Sequence, residues 1–154
     1  MRIETHKKME EELYRAILHH IVEPELGKNI TYGNDLERYG KRAFGRKFHG
    51  LYMVNEIPDD MSPRRAYAIF NLSKLPGTHW IAAAVDPNKE RSLLIYDSFG
   101  DIHKVPEEIL HKYPNSTTTE PDAEQKVYEL NCGARCFAWL WLCDTLGLES
   151  AAHI

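Results

Sequence analysis

The stretch HWIAAAVDPNKERSLLIYD, residues 79–97, decides the fold. His79 to Val85 and Ser92 to Asp97 are apolar runs of strand length. Asp86-Pro87-Asn88-Lys89 between them is turn chemistry, with proline presetting one dihedral and Asx side chains bonding the local backbone. The two runs are therefore expected to pair as an antiparallel hairpin. His79 and Asp97 are equally distant from Asn88, so a ladder centred there sets them opposite each other, on one side of the sheet. A carboxylate in that position holds an imidazole in one tautomer. The same arrangement also describes an ordinary cross-strand polar pair, and a one-residue slip would separate the two groups.

Upstream, Ala66 to Leu72 is a further short strand, preceded by a turn-rich connection from Pro58 to Pro63. Phe48 to Tyr52 reads as irregular. A helix is expected from Asn34, with Asn34 and Glu37 as a reciprocal cap and Gly40 and Gly45 at its end. Residues Lys8 to Ile21 form an amphipathic helix with Met9, Leu13, Ala16, Ile17 and Ile21 on one face, ended by Pro24 and Gly27. Downstream, Val105 to Lys112 is a short helix with Pro106 in its first turn. Pro114 to Pro121 is a polar loop, and Val127 to Leu130 a last strand. Cys132 to Leu146 is a buried helix closed by Gly147. Helices, then antiparallel strands, then a closing helix make an α+β fold, read as one domain over residues 1–154.

With 43% apolar and 27% charged residues the composition is that of a globular chain. The net charge of −4 argues against broad binding to a phosphate backbone. A local basic patch around Lys41, Arg42, Arg46 and Lys47 remains. The apolar run from Cys136 to Cys143 is too short to span a bilayer, and no secretory leader is visible, so a cytoplasmic or nuclear compartment is expected. Three cysteines, at 132, 136 and 143, do not make a disulfide framework. Their spacing also lacks the paired pattern of a zinc site, and no metal or other cofactor is expected.

All three cysteines share one helical stripe, and small core residues are the plain reading of Cys136 and Cys143. Cys132 differs because it opens the helix, where the positive end of the macrodipole favours thiolate over thiol. Gly133 beside it would let a substrate backbone approach the sulfur. Many helices begin with a small residue and a glycine, so this feature by itself does not define a nucleophile. A thiolate needs a base within reach and a group to orient that base; His79 and Asp97 are the candidates. Gln125 carries an amide able to donate to an oxyanion, though a solvated loop residue reads the same way. Trp80 is either a shield beside the base or an aromatic core residue.

Taken in order, His79, Asp97, Gln125 and Cys132 resemble the adenovirus maturation protease (adenain) family and its relatives. Gly77-Thr78-His79-Trp80 is similar to the segment carrying that family's base. Tyr96-Asp97-Ser98-Phe99-Gly100 resembles its acidic segment, with Asp in place of the adenovirus Glu. Gln125 with Asn131-Cys132-Gly133 resembles its block of oxyanion donor and nucleophile. The resemblance covers roughly residues 30–146 and is similar to the compact viral, virophage or transposon-encoded members. It implies a papain-like fold whose central, mostly antiparallel sheet packs on the helix carrying the nucleophile.

The resemblance also implies a cysteine endopeptidase with Cys132 as nucleophile, His79 as base, Asp97 as orienter and Gln125 as oxyanion donor. Trp80 and Gly133 would line the substrate. The implied substrates are polypeptides, cut after small residues such as glycine in viral capsid precursors. The implied setting is the virion or the host cytoplasm or nucleus, with the enzyme acting as a monomer away from membranes. Nucleic acid as a partner is weakened by the acidic balance. The family's peptide cofactor joins through a cysteine upstream of the nucleophile, and this chain has none there. A ubiquitin- or SUMO-type isopeptidase shares the layout and is the alternative. A coenzyme A-dependent acyltransferase would need a basic phosphate pocket, and a catalytically inactive binding module would be free to lose these residues.

Overall fold

The computed structural model describes residues 2–28, 32–72, 79–98, 104–119 and 131–154. Its centre is a five-stranded sheet in the order β1-β2-β3-β4-β5. The strands are β1 (Phe48–Met53), β2 (Tyr67–Asn71), β3 (Trp80–Val85), β4 (Leu93–Tyr96) and β5 (Thr117–Thr118). β2, β3 and β4 are the antiparallel core expected from the sequence. The two edge strands run parallel to their neighbours, so the sheet is mixed and not mostly antiparallel.

Both edges fall where loops were expected. β1 contains Gly50, with φ of 151°, and its pairing with β2 shifts register between Phe48 and Gly50. Such an irregular strand hides from a period-two pattern. β5 is two threonines in a polar stretch, held through the Ser116 hydroxyl, which accepts from the Leu93 amide at 2.8 Å. Val127–Leu130, expected as a strand, lies outside the described residues.

Six helices complete the described residues: α1 (Arg2–Ile17), α2 (Glu23–Leu26), α3 (Gly33–Phe44), α4 (Glu107–Lys112), α5 (Cys132–Leu146) and α6 (Leu148–Ala151). α5 spans the expected residues and ends at Gly147, whose φ of 95° suits a residue without a side chain. Apolar on nearly every side, it fills the space between one face of the sheet and α1. The other face carries Ile57, Phe70, Ile81, Ile95 and Ile109. Sheet residues alternate between the two clusters: Trp80, Ala82 and Ala84 face α5, and Ile81 and Ala83 face away.

The first helix departs from expectation. It does not stop before Pro24 but passes through a π-helical turn, Leu18–Val22, into α2, which ends at Gly27. Pro24 sits in the first turn of α2, where its missing amide costs little. The buried side is Tyr14, Ile17, Leu18 and Val22, whereas Met9 and Ile21 are exposed. Ile17 alone of the expected stripe belongs to the buried core. In α3, Asn34 lies inside the first turn and Tyr32 is the N-cap, without a side-chain bond. Gly40 does not end this helix. A Cβ there would stand 2.5 Å from the Phe48 ring, so the glycine admits β1 against α3.

Candidate active site

His79 immediately precedes β3 and Asp97 immediately follows β4. The ladder pairs Ala82 with Tyr96 and Ala83 with Ile95. It is therefore centred on Lys89 rather than Asn88, and Asp97 falls in line with Ile81. His79 stands one step along on the same side, a diagonal neighbour instead of an opposite one. Parity is kept, so the contact survives: His79 Nε2 lies 2.9 Å from Asp97 Oδ1. The Asp97 side chain is almost fully buried, and that of His79 is 19% exposed.

Cys132 opens α5 and reaches the same imidazole. Burial by itself would lower the His79 pKa. Hydrogen bonds to Asp97 and to Cys132, with the negative charge of both, outweigh it and raise the value to about 9. An imidazole bonded to a buried carboxylate and beside a thiol is held protonated well past neutrality. The other two thiols are different. Burial pushes Cys136 and Cys143 up well above the usual thiol range, with Cys132 and Asp97 adding to it for Cys136 and Asp144 for Cys143. The Cys136 thiol donates to the Trp80 carbonyl at 3.3 Å, tying α5 to β3 next to His79.

The start of α5 has an unusual cap. Asn131 is the N-cap residue, yet its side chain makes no capping bond to the helix. Its Nδ2 donates to Glu23 Oε2 at 3.3 Å, and its Oδ1 accepts from Arg135 Nε at 3.1 Å. The amides of the first turn are thus not covered by the residue best placed to cover them.

Gly133 is buried, and a Cβ there would lie 2.8 Å from Leu36 Cδ2. The absent side chain makes room for α3 against the first turn of α5. Trp80 is buried with its six-membered ring edge near Gly33, and its Nε1 has no hydrogen-bond partner among the described residues. Gln125 lies outside the described residues. So do Gly77, Thr78, Phe99 and Gly100 of the segments that resemble adenain.

Among the described residues no three His, Cys, Asp or Glu side chains gather as a metal site. Among them, too, no helix is long and apolar enough to cross a membrane. The basic patch expected near residues 41–47 is divided. Lys41 and Arg46 line an open cleft of about 740 Å³ with Arg64, Arg65, His49 and Phe48. Arg42 instead pairs with Glu25, and Lys47 with Asp144 at 2.9 Å.

Sequence reasoning missed Glu23, Asn131 and Arg135. One signal was present: Arg135 is the only charge between Cys132 and Cys143, on a helix otherwise built to be buried. No protein-family model matches this chain, and no curated protein or solved structure matches it either. What fold and site define is an α+β protein with a mixed five-stranded sheet, bringing a cysteine, a histidine and an aspartate together at the start of a buried helix.

Proposed function

We propose that this chain is a cysteine endopeptidase with Cys132 as nucleophile. The observation that carries the reading is the position of His79, hydrogen-bonded through Nε2 to Asp97 and close enough to Cys132 for the sulfur to raise its pKa. That is the nucleophile–base–orienter relation that thiol acyl transfer requires. The distinct state of the two remaining thiols supports the choice of sulfur, since burial suppresses their thiolates.

In this scheme the Cys132 thiol passes its proton to His79, and the thiolate attacks a peptide carbonyl, forming a C–S bond and moving the carbonyl electron pair onto oxygen. The first-turn amides of α5, left uncapped by Asn131, donate to that oxygen, and Gln125 joins them by the resemblance stated above. His79, protonated up to about pH 9, gives its proton to the departing amine as the C–N bond breaks. Water then attacks the thioester, His79 takes its proton, and the acid product leaves with the thiol restored. Asp97 keeps the ring oriented and balances its charge.

By resemblance, the substrates are capsid precursor polypeptides cut after small residues such as glycine, and the ubiquitin-like isopeptidase is the competing assignment. The test is cleavage of glycine-rich peptide libraries and of ubiquitin-like fusions by the purified chain, beside its C132A and H79A variants. Cleavage of peptides, lost in both variants, supports the endopeptidase. Cleavage of the fusions alone favours the isopeptidase, and cleavage that survives C132A overturns the scheme.

A further inference from the structure

A chain of hydrogen bonds runs behind the candidate triad through residues the peptidase scheme does not use. Glu23 of α2 accepts from Asn131, and Asn131 accepts from Arg135. Arg135 Nη1 lies 3.5 Å from the Tyr14 hydroxyl of α1, and that hydroxyl lies 2.7 Å from the Tyr96 hydroxyl. Its two ends are informative. Asn131 is the residue before Cys132, and Tyr96 is the residue before Asp97. Tyr96 is further fixed by stacking on Trp139 of α5, with ring centroids 5.4 Å apart and planes 6° from parallel.

The cost of this arrangement argues for a role. Glu23 and Arg135 are both buried, and each would be expensive without a partner. Asn131 stands between them, so that a neutral amide links a buried anion to a buried cation. A simple core would fill this space with apolar side chains at no loss of stability. Asparagine at an N-cap ordinarily bonds its own helix. Here its side chain is taken by Glu23 of α2 and by the Arg135 side chain of its own helix, so Asn131 does not cap the amides beside Cys132.

We propose that Glu23, Arg135 and Tyr14 are positioning residues that set Cys132 against His79 and hold the Asn131 side chain off the first-turn amides. The N-terminal helices are thereby part of the reaction geometry, although no residue on them touches the reacting atoms. The inference rests on the peptidase reading above, and it deepens that reading by adding the parts that aim its nucleophile. Displacements of about 1 Å at a reacting centre cost on the order of a hundredfold in rate, so partial release of the clamp should cost about tenfold.

The experiment measures kcat and KM on a glycine-containing peptide, together with Cys132 alkylation by iodoacetamide across pH, for Glu23→Ala, Glu23→Gln, Arg135→Lys and Tyr14→Phe. Glu10→Gln serves as the control. It loosens the α1 contact with His153, where Nδ1 and Oε2 are 3.1 Å apart, without touching the clamp. Expected are a loss of about tenfold in kcat for Glu23→Ala with KM nearly unchanged, recovery in Glu23→Gln, and no change in the control. Tyr14→Phe removes one hydroxyl and keeps the packing, so it reports on the clamp even where Glu23→Ala does not fold; a fall in kcat is expected there too.

Wild-type kcat in every folded clamp variant would overturn the inference while leaving the peptidase reading intact. An equal loss in Glu10→Gln would also overturn it, by making the effect one of helix docking. A wild-type protein whose Cys132 shows no His79-dependent reactivity would instead remove the peptidase reading on which the inference stands.

Discussion

His79 and Asp97 meet diagonally, not face to face: Nε2 and Oδ1 are 2.9 Å apart although Asp97 is in register with Ile81. Both residues lie just outside the ladder, at the end of the sheet where α5 begins. His79 is anchored there by its own backbone carbonyl, which accepts from the Leu72 amide at 3.1 Å.

Asp97→Asn should lower kcat/KM by two to three orders of magnitude, since a neutral amide neither charges the ring nor holds its productive tautomer. KM should move little, because Asp97 is buried away from any substrate. Steady-state kinetics on one peptide check this; activity of the Asp97→Asn variant within about threefold of wild type would remove Asp97 from the triad.

The pH dependence follows from the His79 shift. Its folded value is raised from 6.5 to about 9, so the protonated ring stabilises the native state fully below pH 6.5, and that contribution is lost as pH rises through 9. The stabilisation is on the order of 3 kcal/mol. Denaturant unfolding at pH 6 and pH 9.5 should show wild type losing about that much more than His79→Ala. If the proposed peptidase scheme holds, kcat/KM should fall on the same alkaline limb, as the proton for the leaving amine is lost.

Native-state alkylation should be selective. Cys132 should react first, with Cys136 and Cys143 unmodified until the protein unfolds, because burial pushes both of their thiols up. Mass spectrometry of peptides after graded exposure to iodoacetamide gives the order directly. His79→Ala should slow Cys132 and leave the other two unchanged.

Gly133→Ala tests the packing of the first turn of α5. Alanine gains about 1 kcal/mol of helix propensity over glycine. Its Cβ would meet Leu36 Cδ2 at 2.8 Å, and Leu36 is fully buried, so overpacking should win with a net loss of about 1–2 kcal/mol. Leu36→Ala in the same chain should recover part of that loss, a coupling that thermal or denaturant unfolding of the double-mutant cycle would reveal.

The sequence disclosed what local chemistry determines. β2, β3 and β4 are runs of Ile, Ala, Leu and aromatic residues between turn signals, and α5 is an unbroken apolar segment closed by Gly147. β1 and β5 were not legible, since each pairs in parallel with a strand remote in sequence and neither shows an alternating pattern. The register of the hairpin differed by two residues on one strand, moving its centre from Asn88 to Lys89, through a turn with Arg91 at φ 48°. That shift preserved the side of the sheet, which is why His79 and Asp97 still met. Glu23, Asn131 and Arg135 could not be joined on paper, because their contact depends on how two helices dock.

The π turn at Leu18–Val22 has a consequence for how this chain tolerates change in length. A π turn accommodates an extra residue within a helix. Removing one residue there would restore plain α-helical phase and rotate everything after it by roughly 100°. Tyr14 would stay in place while Glu23 swung away from Asn131. Substitutions along the same five positions leave the phase alone. The exposed positions His20 and Ile21 should therefore accept changes of residue, whereas the buried Leu18 and Val22 should not, and the segment as a whole should reject a change of count; paired scans of substitutions and single deletions from Leu18 to Val22 would find these behaviours side by side.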